Sequence, residues 1–124
     1  MMKLNYATLE AGEFEIQYKE SKEDSYDILK KEIRGTLDVV RLNQLDIWVD
    51  DEGLLKNLDP TLIIKNDKSP NLTDRDIFLV GPLLFASHDG GGETVSLKAG
   101  ADLILKQFKP CILGDKRVMV YYNF

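Results

Sequence analysis

The segment Thr36–Val49, with the sequence TLDVVRLNQLDIWV, constrains the fold more than any other part of the chain. It contains two β-rich runs joined at an Asn-Gln dipeptide. In the second run Leu45, Ile47 and Val49 alternate with aspartates and a tryptophan, which is the period of a strand with one buried face. The segment therefore predicts two consecutive strands joined by a turn, and we expect this meander to lie at the centre of the sheet.

The length and composition predict a single soluble domain. The chain has 124 residues, of which 44% are hydrophobic and 30% charged, and these are ordinary values for a globular protein with one core. The net charge of −5 argues against general nucleic-acid binding but not against a local basic pocket for a small anion. The start of the chain lacks the apolar core of a signal peptide, and no apolar run reaches the ~18 residues of a membrane span. We therefore expect residues 1–124 to form one cytoplasmic domain that does not bind membranes.

Five further segments have the alternation or the apolar composition of strands. They are Lys3–Leu9, Glu13–Lys19, Thr61–Lys65, Ile77–Ala86 and Lys116–Phe124. The first two predict a hairpin, with Phe14, Ile16 and Tyr18 on one half-buried face. Gly81-Pro82 interrupts the fourth: because proline cannot donate to a ladder, the strand ends or bulges there, or Pro82 lies on an edge. Asn66–Asp74 has the composition of a loop.

Two segments have helical periodicity. The apolar stripe of the first consists of Tyr26, Leu29 and Ile33. We expect Ser21, or alternatively Ser25, as its N-cap and Gly35 as its C-terminal stop.

The second predicted helix precedes the C-terminal strand. Its apolar stripe consists of Leu97, Ala101, Ile104, Leu105 and Phe108. We expect Ser96 to cap it and Pro110 to close it. Gly100 weakens this helix by up to ~1 kcal/mol relative to alanine, which suggests that another group packs close to it. Together these segments predict an α+β fold, in which a mostly antiparallel sheet of about five to seven strands carries two helices.

The single histidine, His88, lies in the Gly-rich tip Ser87–Glu93. Such a tip either presents the histidine as an acid, a base or a ligand, or is simply a connecting loop. Nucleophilic catalysis would require Cys111 or a serine to reach His88, and no spacing in the sequence indicates this. The run Asp50-Asp51-Glu52 lacks the ligand spacing of an EF-hand and indicates a solvated turn. No metal and no cofactor is predicted.

Trp48 and four cations are the candidate ligand-binding residues. Trp48 lies on the strand face opposite Leu45, so either it stacks on a base or a partner, or a second layer of structure covers it. The cations nearest to predicted strand ends are Arg41, Arg75, Lys116 and Arg117. A phosphate-bearing ligand would require two or more of them to converge.

The segment from Ile28 to Phe108 resembles the family called domain of unknown function 3846. The resemblance rests on a helix ending at Gly35, then LDVVRL, LDIWVDDEGLLKNL, IFLVGP, a Gly- and acid-rich tip, and TVSLKAGADLILKQF. Members of this family are small proteins found largely in phages, plasmids and bacterial mobile elements. The resemblance implies a shared fold and supplies no catalytic residues.

Three functions follow as hypotheses. The first is a non-enzymatic phage or mobile-element protein that binds a small ligand or host factor, in its sharpest form a sponge that sequesters a nucleotide immune signal. The second is a protein–protein interaction module that inhibits a host enzyme through an acidic surface of Asp46, Asp50, Asp51 and Glu52. The third is an enzyme that uses His88 and nearby carboxylates. A 14.1 kDa chain has little room for a deep pocket of its own, so we expect a homo-oligomer.

Overall fold

Ten strands and two helices form the structure, a computed structural model that describes residues 3–124. The strands are β1 (Leu4–Leu9), β2 (Gln17–Ser21), β3 (Leu37–Leu42), β4 (Leu45–Asp50), β5 (Pro60–Lys65), β6 (Ile77–Val80), β7 (Leu83–His88), β8 (Thr94–Val95), β9 (Lys109–Leu113) and β10 (Lys116–Tyr122). The helices are α1 (Ser25–Ile33) and α2 (Ala99–Leu105). The predicted α+β class is confirmed, but the strands are more numerous than expected because they divide between two sheets.

Sheet A is antiparallel and has the order β2-β1-β7-β4-β3, with β8 paired to the end of β7. The predicted β3–β4 pair exists, and Leu45, Ile47 and Val49 are buried. The expectation that this pair occupies the centre of the sheet was wrong, because β7 is central and β3 forms an edge. Leu83 to Ser87 are all buried, as expected for a strand with neighbours on both sides.

Sheet B has the order β6-β5-β10-β9 and contains one parallel pair, β5 with β10. The apolar segment Ile77–Ala86 supplies one strand to each sheet because it breaks at Gly81-Pro82. Gly81 turns the chain there with a φ of +76°, a conformation that glycine adopts without a Cβ penalty. Of the predicted alternatives for this step, strand termination is therefore correct. Strand β9 was not predicted, because most of its residues are exposed and its sequence KPCIL has no apolar period.

Two cores cover the two faces of sheet A. The larger lies between sheet A, α2 and sheet B, and in it the rings of Phe85 and Phe108 meet edge to face, with centroids 5.7 Å apart. The smaller lies between sheet A and α1 and contains Ile28, Leu29 and Ile33 of the helix. Sheet A is therefore the middle layer, and the face under α1 carries the polar cluster described below.

Helix α1 begins and ends at different residues from those predicted. The carboxylate of Asp24 accepts a hydrogen bond from the Tyr26 amide at 3.2 Å, so Asp24 is the N-cap rather than either serine. Arg34 takes the left-handed C-cap conformation with a φ of 60°. Gly35 has another role, since a Cβ there would come within 2.2 Å of the Asp50 carboxyl group. Tyr26 is exposed, and Ile28 takes its place in the apolar stripe.

Helix α2 is shorter than the predicted segment. Ser96 is not its cap, because its hydroxyl accepts a hydrogen bond from the Asn5 amide at 2.8 Å. Phe108 is buried beyond the end of the helix, and Pro110 belongs to β9. The close approach expected at Gly100 is confirmed, because the side-chain oxygen of Gln44 lies 2.5 Å from where a Cβ would stand.

The second strand of the N-terminal hairpin begins later than predicted. Strand β2 covers Gln17–Ser21, so Phe14 and Ile16 precede it, and Phe14 and Tyr18 are exposed. The predicted half-buried face is therefore wrong for Phe14 and Tyr18, whereas Ile16 is half-buried and packs against the larger core. The physical reason is that β2 is an edge strand, with β1 as its one neighbour in sheet A.

Candidate functional site

A buried carboxylate, Asp46, lies on the face of sheet A that α1 covers. Because side chains alternate along β4, Asp46, Trp48 and Asp50 share this face, opposite the apolar residues of the larger core. The Asp46 side chain is only 1% exposed. A charge this deeply buried requires compensation, so its partners define the site.

One oxygen of Asp46 contacts two side chains, an arginine and a histidine. Its Oδ1 lies 3.3 Å from Nε of Arg41, which stands directly opposite on β3, and 2.9 Å from Nδ1 of His88 at the end of β7. Its Oδ2 is buried and accepts no hydrogen bond from any group in residues 3–124. We call Arg41, Asp46 and His88 the Asp46 cluster. It is an incompletely satisfied polar site, which is unusual for a buried group.

The two partners of Asp46 reach solvent. The side chain of Arg41 is 48% exposed and that of His88 is 30% exposed. Arg41 contacts the carboxylate through Nε, and His88 contacts it through Nδ1. The carboxylate therefore contacts neither the terminal guanidinium nitrogens of Arg41 nor Nε2 of His88. None of these nitrogens forms a hydrogen bond within the described part of the chain. The cluster therefore offers outward nitrogens from two side chains that one buried oxygen holds together.

Trp48 lies two residues from Asp46, on the same face of β4. Its side chain packs against the core beneath α1, and its Nε1 is buried with no hydrogen-bond partner among residues 3–124. Of the two alternatives for Trp48, coverage by a second layer describes the structure, because α1 lies over this face.

The other predicted ligand-binding residues lie on or beside sheet B and do not join the cluster. Arg75 is in the loop before β6, where its carbonyl accepts a hydrogen bond from the Asn66 side chain. Lys116 pairs with a carboxylate, Asp59, at 3.2 Å. The Arg117 guanidinium lies 5.6 Å from the centre of the Phe14 ring. Lys116 and Arg117 are also consecutive on β10 and therefore point to opposite faces.

Asp50 shows what a fully satisfied carboxylate looks like on the same strand face. It accepts hydrogen bonds from the amides of Thr36 and Glu52, and Nζ of Lys56 lies 2.7 Å from its Oδ2. Burial opposes ionisation of this group, but these three donors outweigh that effect and lower the pKa of Asp50. Asp50 is therefore structural, whereas Asp46 has an oxygen without a donor.

The burial of these two carboxylates also corrects one prediction. Asp46 is fully buried and Asp50 is 4% exposed, so neither contributes to the proposed acidic surface. Both occupy polar positions of β4 on the face that packs against α1, and the segment around Gly35 lies directly against Asp50. Asp51 and Glu52 are exposed, as expected for the turn that follows β4.

An open groove of about 650 Å³ runs between the β1–β2 hairpin and the start of α2. The Tyr18 hydroxyl donates a hydrogen bond to Asp102 at 2.8 Å. Although the residue as a whole is exposed, partial desolvation of the hydroxyl together with this carboxylate raises the pKa of Tyr18 to about 12. The lining carries no buried polar atom that lacks a partner, and the groove does not include the Asp46 cluster. We therefore assign the candidate site to the Asp46 cluster rather than to this larger groove.

Sequence reasoning placed Asp46 on an acidic surface and His88 in a Gly-rich tip. The available signal was the strand period: if the predicted segment Ile77–Ala86 is extended by two residues, His88 falls on the same face as Leu84 and Ala86. No local pattern indicates that it meets Asp46, because the two residues are 42 positions apart. Within residues 3–124, no group of three or more His, Cys, Asp or Glu side chains could hold a metal ion.

The fold and the cluster define an α+β protein with two sheets and one buried carboxylate between two outward donors. The chain belongs to the family described as Domain of unknown function (DUF3846), whose model matches residues 4–109. This match confirms the resemblance drawn from the sequence, and it includes all of sheet A but not β10. No curated protein and no solved structure matches the chain. No helix in the described residues has the length and apolar character needed to cross a membrane.

Proposed function

We propose that this protein binds a small anionic ligand through the outward nitrogens of Arg41 and His88. One observation carries the proposal: Oδ1 of Asp46 contacts both side chains, at 3.3 Å and 2.9 Å, and so fixes their relative position. Because Asp46 is buried in sheet A, the anchor is rigid, and donors that are ordered before binding lose less entropy when a ligand arrives. A guanidinium group is suited to the oxygens of a phosphate or carboxylate.

In its sharpest form the ligand is a nucleotide immune signal. The protein would then be a non-enzymatic sponge of a phage or mobile element, acting as a homo-oligomer in the cytoplasm. The mobile-element setting is an expectation from the resemblance drawn from the sequence, and the exposed end of Arg41 supports recognition of a phosphate. Because Trp48 lies under α1, the proposal places the phosphate rather than the base at the Asp46 cluster.

The test is calorimetric binding and thermal shift against a panel of cyclic and linear nucleotides, with solution mass measured by light scattering. Arg41→Gln is expected to weaken binding by about tenfold or more, since it removes the charged donor. Lys116→Gln is the matched control, because Lys116 is also 48% exposed and also pairs with a single carboxylate. Equal affinities of the two variants would contradict the proposal.

A second candidate function is acid–base catalysis by His88. The favouring observation is that a buried carboxylate contacts Nδ1, which orients the ring and leaves Nε2 toward solvent, as in a carboxylate–histidine pair that acts as a general base. Chromatography of nucleotides incubated with the protein tests this candidate. Conversion of a nucleotide by the natural chain but not by His88→Gln would support catalysis. Recovery of every nucleotide unchanged would contradict it and favour binding alone.

The inhibitor alternative rests on a smaller surface than the sequence predicted, because Asp51 and Glu52 are its only members at the surface. It predicts that the protein co-purifies with a host enzyme and is indifferent to nucleotides. The substitution of both residues by the corresponding amides would then reduce capture of that enzyme, and Arg41→Gln would leave it unchanged.

A further inference from the structure

We infer that the Asp46 cluster recognises a phosphodiester oxyanion and that His88 takes up one proton when the oxyanion binds. This inference rests on the proposed function, because it assumes that the outward nitrogens of Arg41 and His88 are the ligand contacts. It adds the protonation state of the site and the chemical class of group that the site accepts.

The proton count follows from the contact between His88 and Asp46. Nδ1 of the imidazole lies 2.9 Å from Oδ1 of the carboxylate. Two acceptors do not approach each other this closely, so Nδ1 carries a proton and donates a hydrogen bond to the carboxylate. A neutral imidazole has one N–H group, and its other nitrogen is an acceptor. When the His88 ring is neutral, its Nε2 therefore carries a lone pair, which repels an anion.

An anion can accept a hydrogen bond from Nε2 only after a second proton is added to the ring. The imidazolium then donates from Nδ1 to Asp46 and from Nε2 to the ligand, and no other group has to change its charge. Arg41 needs no such step, because its guanidinium is always protonated. Binding of an oxyanion across both side chains is therefore coupled to the uptake of one proton.

Two charged side chains define the surroundings of His88. Asp46 faces it from β4, and Arg41, the opposing positive charge, is bound to the same carboxylate oxygen. In the adjoining tip, the Asp89 carboxylate accepts hydrogen bonds from the amides of Gly91 and Glu93. Strand β8, which pairs with the end of β7, carries no charge.

The helix that packs over this face carries both signs of charge. In its first turn and cap α1 carries the carboxylates of Asp24 and Asp27. Its lysines are engaged elsewhere, since Lys31 pairs with Glu23 at 3.0 Å and Nζ of Lys30 lies 5.3 Å from the centre of the Tyr26 ring. Among residues 3–124, His88 forms an ion pair with Asp46 and with no charged side chain of α1.

The ligand class follows from the arrangement of the donors. Arg41 and His88 approach the same oxygen of Asp46, so their outward nitrogens converge on one region of the surface. A phosphodiester has two equivalent non-bridging oxygens, one for the guanidinium and one for the imidazolium. With a protonated His88 the three side chains sum to one positive charge, which a monoanionic diester neutralises.

The experiment is calorimetric titration with 3′,5′-cyclic AMP as the phosphodiester probe and adenosine as the control that lacks the phosphate. The affinity for the cyclic nucleotide is expected to fall as the pH rises from about 6 to 9, by up to about tenfold per pH unit, because each binding event then requires the uptake of one proton. Titrations in buffers with different enthalpies of ionisation should show uptake of one proton. Adenosine should bind more weakly at every pH.

Two variants separate this inference from a general effect of pH. His88→Gln keeps a donor near the Nε2 position but cannot take up a proton, so its affinity should not vary with pH. Lys116→Gln should retain the pH dependence of the natural chain. Binding of the cyclic nucleotide in preference to adenosine but without proton uptake would overturn the inference alone. Equally tight binding of adenosine would contradict recognition of an anion and would overturn the proposed function too. The absence of binding by either probe at every pH would overturn the proposed function as well.

Discussion

Replacement of Asp46 by leucine is expected to have little effect on stability, although the side chain is a fully buried charge. The general expectation for breaking a buried ion pair is a loss of about 3–5 kcal/mol, because the remaining partner is left buried and unpaired. Here the partners are not buried: the Arg41 side chain is 48% exposed and the His88 side chain 30% exposed. Both can hydrogen-bond to water once the carboxylate is removed.

The magnitude follows from three contributions. The half-exposed pair with Arg41 is worth about 0.2–1 kcal/mol, and the hydrogen bond to His88 is worth about 1.5–3 kcal/mol, as expected for a charged acceptor. Against these losses, the buried Oδ2 no longer has to stay without a donor, which removes a penalty of about 1–3 kcal/mol. Burial of a leucine side chain contributes about 1.5–3 kcal/mol more. The sum predicts a change within about 1 kcal/mol of zero, or a small stabilisation.

Asp50→Leu is the matched control, because Asp50 is the same residue type on the same face of the same strand. Its removal leaves the amides of Thr36 and Glu52 without their acceptor and places a larger side chain against Gly35. We expect this variant to lose about 3–5 kcal/mol.

Urea unfolding at neutral pH measures both variants by linear extrapolation. Trp48 is the only tryptophan of the chain and lies on the same strand face as both aspartates, so its fluorescence reports the region directly. A loss of more than about 3 kcal/mol in the Asp46 variant would refute the reasoning, because it would mean that the exposed partners cannot be re-solvated. Equal losses in the two variants would refute the distinction between the two aspartates.

Three further predictions concern stability away from the Asp46 cluster. Gly100→Ala should stabilise the protein by up to about 1 kcal/mol in urea unfolding, because the flexible end of the exposed Gln44 can move aside; destabilisation that Gln44→Ala fails to relieve would contradict this. The hydrogen bond from Lys65 lowers the pKa of Asp76 to about 2, so the stabilising effect of the ionised carboxylate should be present above about pH 4 and disappear as the pH falls toward 2. The urea midpoints of Asp76→Asn and of the natural chain should therefore converge in acid. A gap between the two midpoints that stays constant with pH would argue against this prediction. Phe85→Ala should cost about 3–5 kcal/mol by the same assay, since Phe85 is fully buried against Phe108; a loss below about 1 kcal/mol would mean that the core collapses around the cavity.

Local periodicity was sufficient for the elements whose burial depends on their own sequence. The alternation around Leu45 and Ile47 predicted β4, and the apolar stripe around Ala101 predicted α2. Gly81-Pro82 predicted a break because proline lacks a backbone donor, and the break is where the chain passes from one sheet to the other. These features follow from single residues and their immediate neighbours.

The partition into two sheets required information that no short segment contains. Strand β10 pairs in parallel with β5, which lies more than fifty residues earlier in the chain. A parallel pair is not joined by a tight turn, so no local turn sequence predicts it. The exposed β9 and the edge strand β2 were missed or misplaced for a related reason, since the burial of a strand depends on whether another strand lies beside it.

The sequence by itself determined that Asp46 and Asp50 are the polar positions of one strand face, because side chains alternate along β4 with a period of two. Only the tertiary structure decided that they differ. Asp50 is surrounded by donors from nearby segments, whereas Asp46 meets a histidine 42 residues away and keeps one oxygen unpaired. A carboxylate takes its role from the groups that surround it, and those groups come from strands that the chain brings together only when it folds.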